Sequence, residues 1–166
     1  LHDRLRGAGD RAHDLVEALD EIVWAVDPDK DNLPALAKYF AGYVEEYLQV
    51  SHIACQVQMP VTFPDIPVSA AVRHQLFLAV REAVTNAVRH AQPGRIGFAV
   101  ELARDRQLQI TIKDDGCGFE PATVEAGHGL ANLRVRLASV GGHCEIISRP
   151  GGGTTVKLKV ALPDNI

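Results

Sequence analysis

The chain has 166 residues, 46% of them hydrophobic, and a formal net charge of −4. This length suits one domain with a short additional element, and the acidic balance argues against a surface that binds nucleic acid. No apolar run approaches the roughly 20 residues that span a bilayer, so these residues are expected to make no membrane contact.

Residues 1–30 are predicted to precede the main domain. Apolar residues at helical spacing predict a helix over about 10–26, and Asp27-Pro28 ends it because the residue before proline avoids the α conformation. The first residue is Leu1, which favours a piece of a longer protein. We interpret residues 1–30 as the end of a truncated helix plus a linker, and residues 31–166 as a domain of their own.

From residue 31 onward the apolar spacing predicts three helices and five strands. Helices are expected at about 33–48, 70–91 and 129–140, the first two capped by Asn32 and Ser69. Strands are expected at about 53–59, 96–102, 108–112, 143–149 and 156–160. The short turn "RDRQ" predicts an antiparallel hairpin of the second and third strands. The fold class is therefore α+β, a two-layer sandwich with about three helices on one face of a mixed, mainly antiparallel sheet.

The long second helix, predicted over about 70–91, carries a polar stripe in "REAVTNAVRHA" (81–91). On a helical projection Glu82, Asn86, Arg89 and His90 share an arc of about 100°. A solvated face explains most such stripes, but an amide in mid-helix has poor helix propensity and suggests an oxygen offered to a metal ion or ligand. Arg89 and His90 have the chemistry to face phosphate oxygens.

Three glycine clusters follow the stripe. In "DDGCGF" (114–119) the glycines allow a flat ligand close to the backbone, and Asp114 suits an exocyclic amino group. "GHGLANL" (127–133) opens a helix, where free N–H groups favour phosphate. "GGGTTV" (151–156) opens a strand. Taken alone, each cluster also fits an ordinary turn or helix junction.

Several familiar site motifs are absent. The sequence has no GxxxxGK[ST] and no GxGxxG, which argues against a P-loop and a dinucleotide fold. It has no HExxH, CxxC or GxSxG, which argues against a zinc centre and a serine hydrolase elbow.

The four motifs in order form a more specific pattern. ExxxNxxRH on a helix, DxGxG after a strand, GxGLxN opening a helix and GxGTxV opening a strand resemble the ATP-binding domain of sensor histidine kinases, in the GHKL superfamily. The likeness covers about residues 33–163 and implies the Bergerat-type ATP-binding fold. "ALDEIVWAVDPDKDNL" resembles the end of the dimerisation helix and the linker of kinases with a HisKA_3-type dimerisation domain.

The resemblance implies an adenine end of the site. Asp114 would bond the adenine amino group, Gly116 and Gly118 would shape the pocket, and Thr154 would support the contact. The hinge and mouth of a short ATP lid, about 120–129, would be formed by four residues of the third motif: Gly127, Gly129, Leu130 and Asn132.

The resemblance also implies a phosphate end. Asn86 would bind the Mg²⁺ that bridges the phosphates, and Glu82 would be a base or polarising group. Arg89 and His90 would face the phosphate tail. In-line phosphoryl transfer needs little beyond positioning and charge neutralisation, which this set would supply.

The same resemblance implies partners that the residues alone do not identify. They are ATP, the phosphoacceptor dimerisation domain of a homodimeric parent, and a response regulator; no nucleic acid is expected. His2-Asp3 mimics a phosphoacceptor motif, but Gly7 and Gly9 weaken a helix there, so the acceptor histidine is expected upstream of this chain. Three widely spaced cysteines favour a reducing, cytoplasmic compartment and thiols that act as small apolar groups, whether or not the parent is membrane-anchored.

Two other function classes stay open on the sequence. One is a nucleotide-binding regulatory module without transfer activity. The other is an ATP-hydrolysing mechanical member of the superfamily, which steady ATP turnover would favour.

Overall fold

A computed structural model of the chain describes residues 31–121 and 128–163. The helices of these ranges are α1 (Leu33–Val50), α2 (Ala70–Asn86), a π-helical turn (Ala87–Ala91) that continues α2, and α3 (His128–Ser139). The strands are β1 (Ala54–Gln58), β2 (Arg95–Leu102), β3 (Gln107–Asp114), β4 (His143–Ser148) and β5 (Thr154–Ala161). The predicted helix at 10–26, the linker after it, His2 and residues 122–127 of the predicted lid lie outside the described residues.

The five strands form one sheet in the order β1-β2-β3-β5-β4. β1 runs parallel to β2, and the other three pairs are antiparallel. The predicted hairpin of β2 and β3 and the predicted mixed, mainly antiparallel sheet are therefore confirmed. Because β5 lies between β3 and β4, the end of β3 meets the start of β5, and Asp114 pairs with Thr154.

The predicted caps start the first two helices. The Asn32 side-chain oxygen accepts a hydrogen bond from the Ala35 amide at 3.0 Å, and the Ser69 hydroxyl accepts one from the Val72 amide at 3.3 Å. Each bond satisfies one of the amides that a helix start leaves without a partner. Neither α1 nor any other helix in the described ranges is long and apolar enough to cross a bilayer.

The helices pack on one face of the sheet. The core is built from the apolar stripe of each helix and the inward residues of the strands, such as Phe40, Leu76, Phe98, Ile110 and Leu158, all at most 1% exposed. This is the predicted α+β two-layer arrangement. It is held by the burial of apolar surface, which contributes roughly 25 cal/mol per Å².

The C-terminal end of α2 differs from the single α-helix predicted over 70–91. The α-helix ends at Asn86, and Ala87–Ala91 form the π-turn, after which Gln92 adopts the left-handed conformation with φ 50° and ψ 52°. A π-turn widens the helix by one residue and displaces everything after it. The left-handed residue is Gln92 and not the nearby Gly94, so neither the apolar periodicity nor a glycine predicts the change.

Candidate functional site

A cavity of about 490 Å³ opens between α2 with its π-turn, the β3 and β5 strands, and the start of α3. Seven of the twelve predicted site residues line it: Asn86, His90, Asp114, Gly118, Gly129, Leu130 and Thr154. Residues from four separate motifs thus meet in one place, because the sheet order sets β3 beside β5 and α2 packs across them.

The other five predicted residues have different positions. Glu82 contacts Asn86 beside the cavity, and Gly116 lies against the π-turn behind its wall. Arg89 is exposed on the π-turn and is not part of the cavity wall. Asn132 is exposed and lines a separate shallow groove with Gln75 and Arg136. Gly127 lies outside the described residues.

Asp114 ends β3 with a buried carboxyl group, only 4% exposed. Its Oδ1 accepts hydrogen bonds from the Gly116 amide at 2.9 Å and the Thr154 amide at 3.3 Å. Its Oδ2 accepts none from residues 31–121 or 128–163. Burial raises the pKa of the Asp114 carboxyl, and the two backbone amides partly oppose that rise. The cavity thus holds a buried acceptor oxygen suited to a ligand's donor.

The glycines of the loop after β3 are required by close backbone approach. A β-carbon at Gly116 would overlap the Ala91 carbonyl oxygen. One at Gly118 would overlap the Arg149 carbonyl oxygen, and Gly118 also has φ +60°. These contacts hold the loop between the π-turn and the turn that joins β4 to β5, beside the cavity.

Gly118→Ala is expected to destabilise the fold by about 3 kcal/mol, since it adds a backbone overlap to an unfavourable positive φ. Gly151→Ala is the matched control: Gly151 has φ +71°, but a β-carbon there would meet nothing within 4 Å. Backbone strain alone costs about 1 kcal/mol. Equal losses in the two variants, measured as free energies of unfolding in urea, would disprove the overlap.

Thr154 contacts Ser148, a residue that the sequence analysis did not identify. The Ser148 hydroxyl lies 2.9 Å from the Thr154 hydroxyl and accepts a hydrogen bond from the Phe119 amide at 2.9 Å. It donates to the Gly153 carbonyl at 3.1 Å. Ser148 thus ties the loop after β3 to the start of β5 and orients Thr154 beside Asp114. Its position at a strand end gave no signal in the sequence.

The opposite end of the cavity is polar. The Asn86 amide nitrogen donates to Glu82 Oε1 at 3.2 Å across one helical turn. A β-carbon at Gly129 would overlap Glu82 Oε1 and would lie 3.1 Å from Asn86 Nδ2, so the start of α3 rests on this pair. The bond uses the amide nitrogen and leaves the amide oxygen as the atom available to a cation.

The side wall of the cavity is made of small apolar residues that are not among the predicted site residues. Ala83, Ala87 and Ala91 repeat every four residues along α2 and the π-turn, and all three are at most 7% exposed while they line the cavity. Ile112 and Val156 face them from the sheet. Small residues at this spacing, opposite the glycine clusters, were the available signal.

The three thiols have different surroundings. Cys144 is buried in the core, and burial raises its pKa to about 11; Cys55 is half-buried, and burial raises its pKa as well. Cys117 is exposed on the cavity wall, and its thiol lies 3.5 Å from the His90 carbonyl oxygen. The prediction that the cysteines act as apolar packing residues is therefore wrong for Cys117, because the glycine loop carries it out of the core.

Comparison with known families gives a match over most of the domain. Residues 71–164 match the family described as "Histidine kinase-, DNA gyrase B-, and HSP90-like ATPase". That range contains α2 from its second residue onward, the π-turn, α3 and the four strands β2 to β5.

Individual relatives are similar over the same region. An uncharacterized sensor-like histidine kinase of Chloroflexus aurantiacus is 35% identical over 103 residues, which is 58% of this chain and 17% of that protein. The sensor histidine kinase LiaS of Bacillus subtilis is 32% identical over 99 residues, 59% of this chain and 27% of that protein. The chain thus spans well under a third of the length of these relatives.

A solved structure supports the same fold. The histidine kinase domain of the Erythrobacter litoralis EL346 blue-light activated kinase superimposes with a TM-score of 0.65 at 22% identity, over 76% of this chain and 61% of that one. At this identity the likeness shows the fold, and it confirms the predicted fold class.

Proposed function

Since the chain belongs to the histidine kinase-, DNA gyrase B- and HSP90-like ATPase family and carries its ATP-binding catalytic domain, we propose that the cavity binds ATP with Mg²⁺ for transfer of the γ-phosphoryl group to a histidine of a two-component sensor kinase. The observation that carries the proposal is the buried Asp114 carboxylate on the cavity wall, with Oδ2 unbonded by the described residues. The similarity to sensor kinases supports the choice of acceptor.

The adenine ring occupies the apolar end of the cavity. Asp114 Oδ2 accepts from the exocyclic amino group, and Thr154 supports the contact, while the glycine loop lets the flat ring approach the backbone. Ala87 and Val156 enclose the ring faces. Guanine carries a carbonyl oxygen where adenine carries the amino group, so two acceptors would meet and the site would prefer ATP to GTP.

The phosphates extend toward the polar end. His90 lies on the cavity wall there, and Arg89 lies on the same π-turn, where either can meet phosphate oxygens. The N-terminus of the 12-residue helix α3 adds backbone amides and a positive dipole end. Gly129 and Leu130, which line the cavity, form the mouth of the lid together with the preceding Gly127, whereas Asn132 lies on the separate groove.

The donor set fits Mg²⁺ bound mainly through the nucleotide. The described residues contain no group of three or more His, Cys, Asp or Glu that could cage a metal. The Asn86 oxygen is a hard ligand, and Mg²⁺ commonly takes one or two protein oxygens together with phosphates and water. Bound there, Mg²⁺ would neutralise phosphate charge. Glu82 fixes the amide orientation through its bond to Asn86 Nδ2.

The chain's own contribution to transfer is binding and alignment. A neutral imidazole attacks phosphorus without first losing a proton to a base, so Glu82 acts by orienting Asn86 and polarising nearby groups. The acceptor histidine belongs to a dimerisation domain of the parent, which precedes the ATP-binding domain in sequence. The parent is a homodimer that passes the phosphoryl group to a response regulator in the cytoplasm.

The proposal is tested by supplying the acceptor separately. The chain is incubated with γ-labelled ATP and Mg²⁺, with and without the purified dimerisation domain of its full-length parent. Acid-labile phosphohistidine is expected on the supplied domain and not on the chain alone. If ATP binds but no label reaches the supplied domain, the chain is instead a nucleotide-binding module without transfer activity.

A further inference from the structure

Asp115 follows Asp114, the residue proposed to bind adenine, but its side chain faces the opposite side of the loop. Its Oδ1 accepts hydrogen bonds from the Gly94 and Arg95 amides, both at 2.9 Å. Its own amide donates to the Arg95 carbonyl at 3.3 Å. The side chain therefore holds the segment that connects the π-turn to β2.

Further contacts join the same two segments. The Cys117 amide donates to the Ala91 carbonyl at 2.8 Å, and Gly116 packs against that carbonyl. We call residues 91–95 and 115–117, with the bonds between them, the exit clamp. It fastens the end of the π-turn to the loop whose other face carries Asp114.

The exit clamp matters for the position of the polar residues on the π-turn. A π-turn contains one residue more than an α-helical turn of the same rise, and it is favoured only where surrounding contacts hold it. Without those contacts the turn is expected to revert toward α-helix, which rotates each later residue by about 100°. His90 lies on this turn and lines the cavity in the observed register. A rotation of about 100° would be expected to turn its side chain away from the cavity.

We propose that Asp115 is a positioning residue for the phosphate end of the site: by accepting from Gly94 and Arg95 it holds the π-turn in the register that brings His90 to the cavity. This inference rests on the proposed function, since it takes the polar end to bind phosphates. The adenine end does not depend on this side chain, because Asp114 is held by the Gly116 and Thr154 amides.

The test compares a ligand with phosphates and one without. Dissociation constants for Mg²⁺-ATP and for adenosine are measured by NMR titration on the wild type, Asp115→Ala and Asp115→Asn. In Asp115→Ala the affinity for ATP is expected to fall about tenfold, which is the effect of losing one charge-assisted bond between His90 and a phosphate oxygen. The affinity for adenosine is expected to change less than about twofold. Asp115→Asn keeps an acceptor oxygen and is expected to restore the ratio of the two affinities.

The matched control is Asp105→Ala. Asp105 also accepts a backbone bond through Oδ1, from the Gln107 amide at 3.3 Å, but in the β2–β3 turn at the far end of β3. In Asp105→Ala the ratio of the affinities for Mg²⁺-ATP and adenosine is expected to stay at the wild-type value. Should Asp115→Ala fail to fold, Asp115→Glu replaces it, since the longer side chain displaces the acceptor and is expected to lower the same ratio.

Three results would overturn the inference. Equal losses for both ligands would indicate a merely structural role, an unchanged ratio would indicate no role, and failure of Asp115→Asn to restore the ratio would exclude the acceptor account. These outcomes leave the proposed function intact. Failure of the wild type to bind Mg²⁺-ATP would remove the proposed function and this inference together.

Discussion

Asp114→Asn is expected to lower the affinity for ATP about a hundredfold, because the substitution exchanges a charged acceptor for an amide whose nitrogen can oppose the adenine amino group. The amide oxygen can still accept from the Gly116 and Thr154 amides, so the loop keeps its anchors. The loss should therefore appear in binding and not in folding. Calorimetric titration with a non-hydrolysable ATP analogue measures it, with Asp105→Asn as the control.

The same variant is expected to be at least as stable as the wild type at neutral pH. Burial raises the pKa of Asp114 above its ordinary value of 3.8, so the native state favours the protonated carboxyl. The stabilising contribution of this group is therefore present below pH 3.8 and is lost as the pH rises through the raised pKa. At neutral pH the buried carboxylate destabilises the fold, and the neutral amide removes that cost.

Thermal unfolding at several pH values checks this second expectation. The advantage of Asp114→Asn should be greatest at neutral pH and should shrink as the pH approaches 4. If the variant unfolds at a clearly lower temperature than the wild type at neutral pH, Asp114 is a structural residue, and its loss of binding would not identify the adenine contact.

Asn86→Ala is expected to remove the increase in ATP affinity that Mg²⁺ gives the wild type, and to lower phosphoryl transfer by about a hundredfold or more, the usual scale for losing one preorganised charge-stabilising group. Adenosine affinity should stay within about twofold, because the hydrogen bond of Asn86 is to Glu82, whereas those of Asp114 are to the Gly116 and Thr154 amides.

The control for this variant is Gln75→Ala, an amide on the same helix that lines a separate groove. Binding of the ATP analogue is measured with Mg²⁺ and with EDTA for both. An undiminished Mg²⁺ effect in Asn86→Ala would mean that the polar stripe of α2 is a solvated helix face and that the metal assignment is wrong.

The elements of the fold followed from local signals, but their arrangement did not. Asn32 and Ser69 predict the starts of two helices, and the short turn before Gln107 predicts a hairpin. Nothing local indicates that β5 lies between β3 and β4, or that β1 runs parallel to β2. Those pairings depend on contacts between residues far apart in sequence. They decide the site, because they set Asp114 beside Thr154.

The site itself was predicted where polar or glycine residues mark it and missed where apolar residues do. Asn86 and Asp114 are conspicuous because an amide in mid-helix and an acid after a buried strand need a reason. Ala83 and Ala87 are not among the predicted site residues, because burial against the sheet and burial against a cavity produce the same apolar periodicity. Apolar periodicity predicts which face of a helix is buried, but not whether that face packs against the sheet or lines a cavity.

Two further features depend on tertiary contacts alone. The π-turn is stabilised by the Cys117 amide at the Ala91 carbonyl, and the helix sequence gives no sign of it. Arg73 reads as a surface residue of α2, yet it is only 2% exposed and donates to the Val68 carbonyl at 3.4 Å. A charged side chain is buried only where such acceptors meet it, and their positions follow from the completed fold.

The most direct test of the ATP site is calorimetric titration of the wild-type chain with non-hydrolysable analogues of ATP and GTP in the presence of Mg²⁺. The ATP analogue is expected to bind at a single site, and the GTP analogue about a hundredfold more weakly, because Asp114 would then face a carbonyl oxygen instead of an amino group. Equal affinities for the two analogues, or no binding of either, would contradict the account.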